Sequence, residues 1–304
     1  MNPNVVTNIK SIGELHGYLG LSSPKHPLIS LVNVEDVVFP NIDHDFRYTQ
    51  AFYFISMKKG VNDKIQYGQN HYDFDDGIVA LIRPNQVIKL NPVKSKSTSG
   101  WMLMFHPDFI AGYPLAEKIN QYGFFAYEIH EALHLSDTEE RSLLGIMKNI
   151  QKEYDQAIDK YSQDVILAHL ELLLSYINRY YGRQFVTRKN ANTGLLSTFD
   201  RILEGHFKDG YALMNGLPSV GEFAKELKVS KSYLNDLIKS TQGCTTQQYI
   251  QIAIVENAKR KLSSTKMSVS EIAYSLGFQY SQSFNKFFKK HTGITPLFYR
   301  SSFN

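Results

Sequence analysis

The chain has 304 residues, 43% of them hydrophobic and 20% charged, with a formal net charge of +4. That length suffices for two domains with cores of their own, at an ordinary globular composition. No run of about eighteen apolar residues is present to span a membrane, and the single cysteine, Cys244, cannot form an internal disulfide, which fits a reducing cytoplasm.

The opening stretch, MNPNVVTNIKSIGELHGYLG, lacks a basic end followed by an apolar core, so no secretory signal is expected. Residues 1–25 read as an arm with a short helix at 11–19. From residue 27 to about 135 the pattern is strand-like. PLISLVNV, FRYTQAFYFISM, KIQYG, GIVALIRP, QVIKL and GWMLMFHP are short apolar, β-branched or aromatic runs, punctuated by Gly, Pro, Asn and Asp. Strands at this spacing predict a sandwich or barrel.

Two histidine motifs bear on metal chemistry. In NHYDFDD, His71 has no second histidine two residues on. First-row metals need several converging ligands, so His71 reads as a surface or cavity side chain. His130-Glu131-Ala132-Leu133-His134 matches the His-Glu-x-x-His of zinc proteases, which works only on a helix. Here Tyr127, Ile129, Leu133 and Leu135 alternate as in a strand, which would hold the two imidazoles about 13 Å apart. Glu140 stands where a further metzincin histidine would be, and Glu153 belongs to the pattern of the next helix. Neither a metal nor another cofactor is expected, and no catalytic residue emerges.

Ser136-Asp137-Thr138-Glu139 is a capping box that opens a helix running to about residue 157. Leu143, Leu144, Met147, Ile150 and Tyr154 form its apolar stripe. A second helix, at about 163–181, carries two stripes: Ile166, Leu170, Leu173 and Ile177, then Leu167, Leu174 and Tyr181. Two apolar faces want two partners, and the second is either the same helix of another copy or the chain's own core. Residues 187–194, TRKNANTG, are polar and aperiodic, as in a linker. A helix at about 195–208 places Phe199, Ile202, Leu203 and Phe207 at core spacing, and HFKDGYALMNGLP reads as a loop.

Two copies of one pattern follow: VGEFAKELKVSKSYLNDLIKST at 220–241 and VSEIAYSLGFQYSQSFNKFFKKHT at 269–292. Each has a short helix, a tight turn and a longer, more polar helix. Phe223, Ala224, Leu227, Leu234 and Ile238 are spaced for burial in the first, and Ile272, Ala273, Leu276, Phe284 and Phe287 in the second. Phe278 and Phe288 are likewise core. Between the copies, TTQQYIQIAIVENAKRKL gives a buried helix of about sixteen residues, about 24 Å long. Residues 195–304 hold 14 Lys+Arg against 8 Asp+Glu, a balance of +6, while residues 1–194 hold 19 against 21, a balance of −2. The basic charge therefore sits with the repeated motif, where a phosphate backbone would need it.

The stretch IAYSLGFQYSQSFNKFFKKHTGITPLFYR, with Leu-Gly-Phe, Phe-x-x-x-Phe-Lys, Thr-Gly and Thr-Pro-x-x-Tyr-Arg at family spacing, resembles the paired helix-turn-helix domain of AraC-family transcription regulators. The close match covers about residues 217–301. GIVALIRPNQ and GWMLMFHPDF resemble, more loosely, the cupin-like jelly roll that many members carry at the N-terminus. The resemblance implies a cupin-like β-barrel at about 27–135 with a helical dimerisation pair at about 137–181. Together these form a sensor and dimerisation domain over 1–186. A linker at 187–194 and an all-α DNA-binding domain at 195–304 complete the chain. The implied function is a sequence-specific, effector-responsive, non-enzymatic regulator that inserts two recognition helices into successive major grooves of promoter DNA. A second copy of the chain, a small-molecule effector and RNA polymerase are its further implied partners. The alternative from another class is a metal-dependent cupin or zinc hydrolase.

Carried onto this sequence, the family's base-reading positions are Ser232, Asn235 and Asp236 in the first motif. In the second they are Ser281, Gln282, Ser283, Asn285 and Lys286. Gln and Asn can pair bidentately with adenine, and Lys can donate to guanine. Asp236 departs from the pattern, since an acid facing phosphates is repelled. Lys231, Lys239, Lys259, Arg260, Lys289 and Lys290 are the expected phosphate contacts, which position without specifying.

Overall fold

Residues 6–38, 47–59, 77–89, 99–128, 131–157, 159–187, 189–208 and 210–303 are described by the computed structural model. They fall into two units, Met1–Gln184 and Phe185–Asn304.

The first unit holds β1 (Val6–Ile9), α1 (Ile12–Tyr18), β2 (Ile29–Asn33), β3 (Arg47–Gln50), β4 (Tyr53–Lys59), β5 (Ile78–Ile82), β6 (Ile88–Lys89) and β7 (Ser99–Phe105). Next come α2 (Pro107–Ile110), α3 (Pro114–Lys118), β8 (Leu133–His134), α4 (Asp137–Asp155) and α5 (Ser162–Thr187), within whose last turns the unit boundary falls. The strands form two sheets, ordered β1-β3-β6 and β2-β7-β4-β5-β8. Among the described residues they do not close into the expected barrel. In the larger sheet every neighbouring pair is antiparallel, with Ile55 opposite both Leu81 and Leu103. Alternation gives the sheet two faces. Met102, Met104 and Phe54 lie on one of them and pack in a single cluster with Ile9 and Tyr48 of the smaller sheet and Ile12 and Leu15 of α1.

The helix expected at 11–19 is α1, capped by the Ser11 side chain. The run FRYTQAFYFISM is two strands, because the chain passes from one sheet to the other after Gln50. The described residues between 123 and 135 also differ from the expected strand. Gly123–Ala126 is a 3-10 turn, and among the described residues of this stretch only Leu133–His134 pairs in a sheet. Phe124, Phe125 and Tyr127 are all buried, and Tyr181 receives Phe124 face-on at 5.6 Å and Tyr127 edge-on at 5.1 Å. Neighbouring aromatics can share one side of the backbone only if it turns, whereas a strand would send them to opposite faces. The KIQYG run, His71, Ile129 and His130 lie outside the described residues. His134 sits in β8, and Glu131 is buried with a carboxylate oxygen accepting from the Glu128 N–H at 2.6 Å.

The capping box at Ser136 and Glu139 opens α4 as its residues require. Arg183 of α5 grips Glu139 through two nitrogens, at 3.0 and 2.6 Å. Both stripes of α5 are buried within this one chain: Ile166, Leu170, Leu173 and Ile177, and equally Leu167, Leu174 and Tyr181. Two-sided hydrophobicity in this helix is therefore satisfied internally and is no argument for a second copy.

The second unit holds α6 (Lys189–His206), α7 (Tyr211–Asn215), α8 (Val220–Glu226), α9 (Lys231–Gln242), α10 (Thr246–Ser264), α11 (Val269–Ser275), α12 (Ser281–Thr292) and α13 (Pro296–Ser301). α6 begins six residues before the expected 195, inside the polar stretch. α7 lies within the expected loop, between Gly210 and Gly216, both at positive φ. One hydrophobic cluster joins Phe199 and Leu203 of α6, Phe223 of α8, Leu234 and Ile238 of α9, Ile250, Ile254 and Ala258 of α10, Ile272 of α11, and Phe284 and Phe288 of α12.

Candidate nucleic-acid interface

The two repeats fold alike to the residue. α8 and α11 have seven residues each, and α9 and α12 twelve each. Capping boxes start both short helices, Ser219 with Glu222 and Ser268 with Glu271. Backbone N–H donation from Ser268 and hydrogen bonding to its hydroxyl hold the Glu271 carboxyl below its ordinary range. Left-handed glycines, Gly243 and Gly293, end both long helices.

The turns share a geometry too. Lys228 (φ 57°) and Gly277 (φ 94°) occupy equivalent left-handed positions. At Gly277 the requirement is double, since a Cβ there would lie 2.4 Å from the carbonyl carbon and oxygen of Gly216. That same Gly216 oxygen accepts from His206 Nε2 at 2.9 Å.

α10 bridges the repeats with 19 residues, about 28 Å by helical rise. Tyr249 donates to Asp200 of α6 at 3.0 Å, Lys261 donates to Ser275 of α11 at 3.0 Å, and Arg300 Nε of α13 donates to the Leu262 carbonyl at 3.2 Å. Phe278, Phe284 and Phe288 are buried and Phe287 is half-buried against the same core. These rings are structural and unavailable for stacking on bases.

The expected contact residues are not equivalent in their surroundings. On α12, Gln282, Ser283, Asn285 and Lys286 are exposed, and Ser281 is half-buried. None of the four exposed side chains is hydrogen-bonded or ion-paired among the described residues. On α9, Ser232, Asn235 and Asp236 are half-buried. Asn235 Oδ1 accepts from the Thr246 N–H at 3.2 Å, so this side chain fastens the first turn of α10 to α9. No local sequence signal announces that bond, since its partner lies eleven residues on.

Among the expected phosphate contacts, Lys239, Lys289 and Lys290 are exposed. The exposed Lys231 folds back over α8, with its Cε 3.0 Å from where a Cβ of Gly221 would sit. Lys259 is ion-paired to Glu256 at 2.8 Å, and Arg260 donates to Asn257 at 2.9 Å. Tyr280, 67% exposed at the start of α12, is a surface aromatic that periodicity did not single out.

A family described as "helix-turn-helix domain" matches residues 223–302. The chain is 29% identical over 140 residues to the raffinose operon transcriptional regulatory protein RafR of Pediococcus pentosaceus, covering 46% of this chain and 48% of that one. It is 30% identical over 83 residues to the probable transcription factor PqrA of Proteus vulgaris, covering 27% of this chain and 68% of that one. Among solved structures, the C-terminal domain of the two-component response regulator yesN from Fusobacterium nucleatum is 29% identical, covers 34% of this chain and 95% of that one, and has a TM-score of 0.30. The match spans about half the length of RafR.

Proposed function

The chain belongs to the AraC family of helix-turn-helix transcription regulators, and from that premise we propose that the whole protein binds promoter DNA with α9 and α12 in successive major grooves. The observation that carries this reading is the duplicated unit, two equal helix pairs braced by α10 on one core, with a polar, uncommitted outer face on α12. Successive major grooves on one face of B-DNA lie about 34 Å apart, and α10 is of that order. The contacts we assign are Gln282, Asn285 and Lys286 to bases and Lys239, Lys289 and Lys290 to phosphates. Both enzyme alternatives give way to a family of regulators.

The first unit, in this proposal, is a cupin-like sensor. An effector held by this unit shifts the population of DNA-competent chains. RafR is named for a raffinose operon, so sugars are the first effector class to screen. The second copy expected from the sequence docks on α5, on a third stripe beside the two buried ones. Val165, His169, Leu172 and Tyr176 recur at helical spacing, with Val165 and Leu172 exposed and the other two half-buried. A cytoplasmic location and contact with RNA polymerase complete the proposal.

Binding of the intact chain to a selected operator, measured across a salt series, tests the core of it. Gln282→Ala should lose about 1–3 kcal/mol on the operator and relax preference at one base, while Lys289→Ala should weaken all sequences alike and lower the salt slope by about 1. A Gln282→Ala variant with unchanged affinity and preference sinks the assignment.

A further inference from the structure

We propose that sequence selectivity resides in the second helix-turn-helix, read by Gln282, Asn285 and Lys286 of α12, while α9 serves to hold the backbone of the neighbouring groove. This division rests on the DNA-binding reading above and goes beyond it.

The equal lengths of α9 and α12 align them residue by residue, with Leu234 matching Phe284 and Ile238 matching Phe288 in the common core. Three outward positions then contrast. Ser232 matches Gln282: a short, half-buried hydroxyl against an exposed amide able to bond an adenine edge through two atoms. Asp236, half-buried and engaged within the fold, matches the exposed Lys286, so the sign of the charge is reversed between matching positions. In total α9 carries Lys231, Lys239 and Asp236, and α12 carries Lys286, Lys289 and Lys290. The difference is +1 against +3, and it draws duplex towards α12.

The third contrast is between identical residues. Asn235 and Asn285 are equivalent, yet only Asn235 is committed, its oxygen accepting from Thr246 N–H at the first residue of α10. The residue equivalent to Thr246 is Pro296, the first residue of α13. Proline has no N–H to donate. The second repeat therefore offers Asn285 no bond of this kind, and its whole carboxamide stays outside the fold, exposed. One substitution in the following helix thus releases a reading group in the second motif that the first motif spends on its own architecture.

Enrichment of random duplexes by the intact protein tests this. The enriched sequences should show one tightly constrained block and, about one helical turn away, a loosely constrained one. Gln282→Ala and Asn285→Ala should each flatten the tight block at one base by about tenfold. Ser232→Ala should leave the enriched sequences unchanged. Asp236→Asn should tighten binding to every duplex without altering preference. Two equally constrained blocks, or preferences that follow Ser232→Ala and Asp236→Asn rather than the α12 variants, overturn the division and leave the DNA-binding reading standing. Failure to retain any duplex at low salt overturns both.

Discussion

Gly277 and Gly293 allow two effects of a side chain to be separated at single residues. Both have left-handed backbone, φ 94° and 81°, but a Cβ at Gly293 meets open space while one at Gly277 meets the Gly216 backbone at 2.4 Å. Gly293→Ala should cost about 1 kcal/mol, the backbone strain alone. Gly277→Ala should cost at least twice that, because two stretches of backbone must part. Denaturant midpoints of the two variants give the comparison directly, and equal midpoints would remove the contact from the explanation. In the first unit Tyr48 is the residue to titrate. Burial pushes its phenol up to about 12 from 10.0, so the folded state keeps it neutral where the unfolded chain would ionise it. That stability is present in full below about pH 10 and is lost as pH rises through about 12. Tyr48→Phe should accordingly flatten the alkaline limb of stability between those values.

At the scale of elements, the helix starts show which parts of the reading unit are set locally. α8, α10 and α11 begin with capping boxes and α9 with a serine cap. α12 begins at Tyr280, whose side chain makes no cap bond although its backbone is extended, φ −135° and ψ 133°. Tyr280→Ser should therefore stabilise the second unit by about 1 kcal/mol, read as a rise in the denaturant midpoint. No gain would mean that the exposed ring contributes packing or fixes the turn. The same element-level logic explains α5. Leu170, Leu173 and Ile177 are fully buried, so truncating one should cost about 2–5 kcal/mol, whereas Leu172 is 45% exposed and should tolerate change.

Leu172 is for that reason the position at which to test the assembly of the whole molecule. Leu172→Glu should leave unfolding of the single chain nearly unchanged and convert the proposed dimer to a monomer in sedimentation. A dimer that survives the substitution would have to use another surface. The charge distribution acts at this scale too. The +6 balance lies in residues 195–304 and the −2 balance in the remainder, so DNA should be drawn to one end of the chain and repelled, weakly, by the other.

The sequence by itself determined the paired helix pattern and its core rings, because each depends on residues three or four apart on one helix, and the segregation of basic charge, which composition alone carries. Tertiary structure alone decided what depends on distant partners. It paired β1 with β3, turned the aromatic run at 123–127 around Tyr181, and buried both stripes of α5 inside one chain. It also tied Asn235 to an amide eleven residues away, while a proline left Asn285 free of any such bond. Hydrogen bonds and packing between segments have no period along the chain, so identical asparagines in matching repeats look alike until the fold shows what stands beside each.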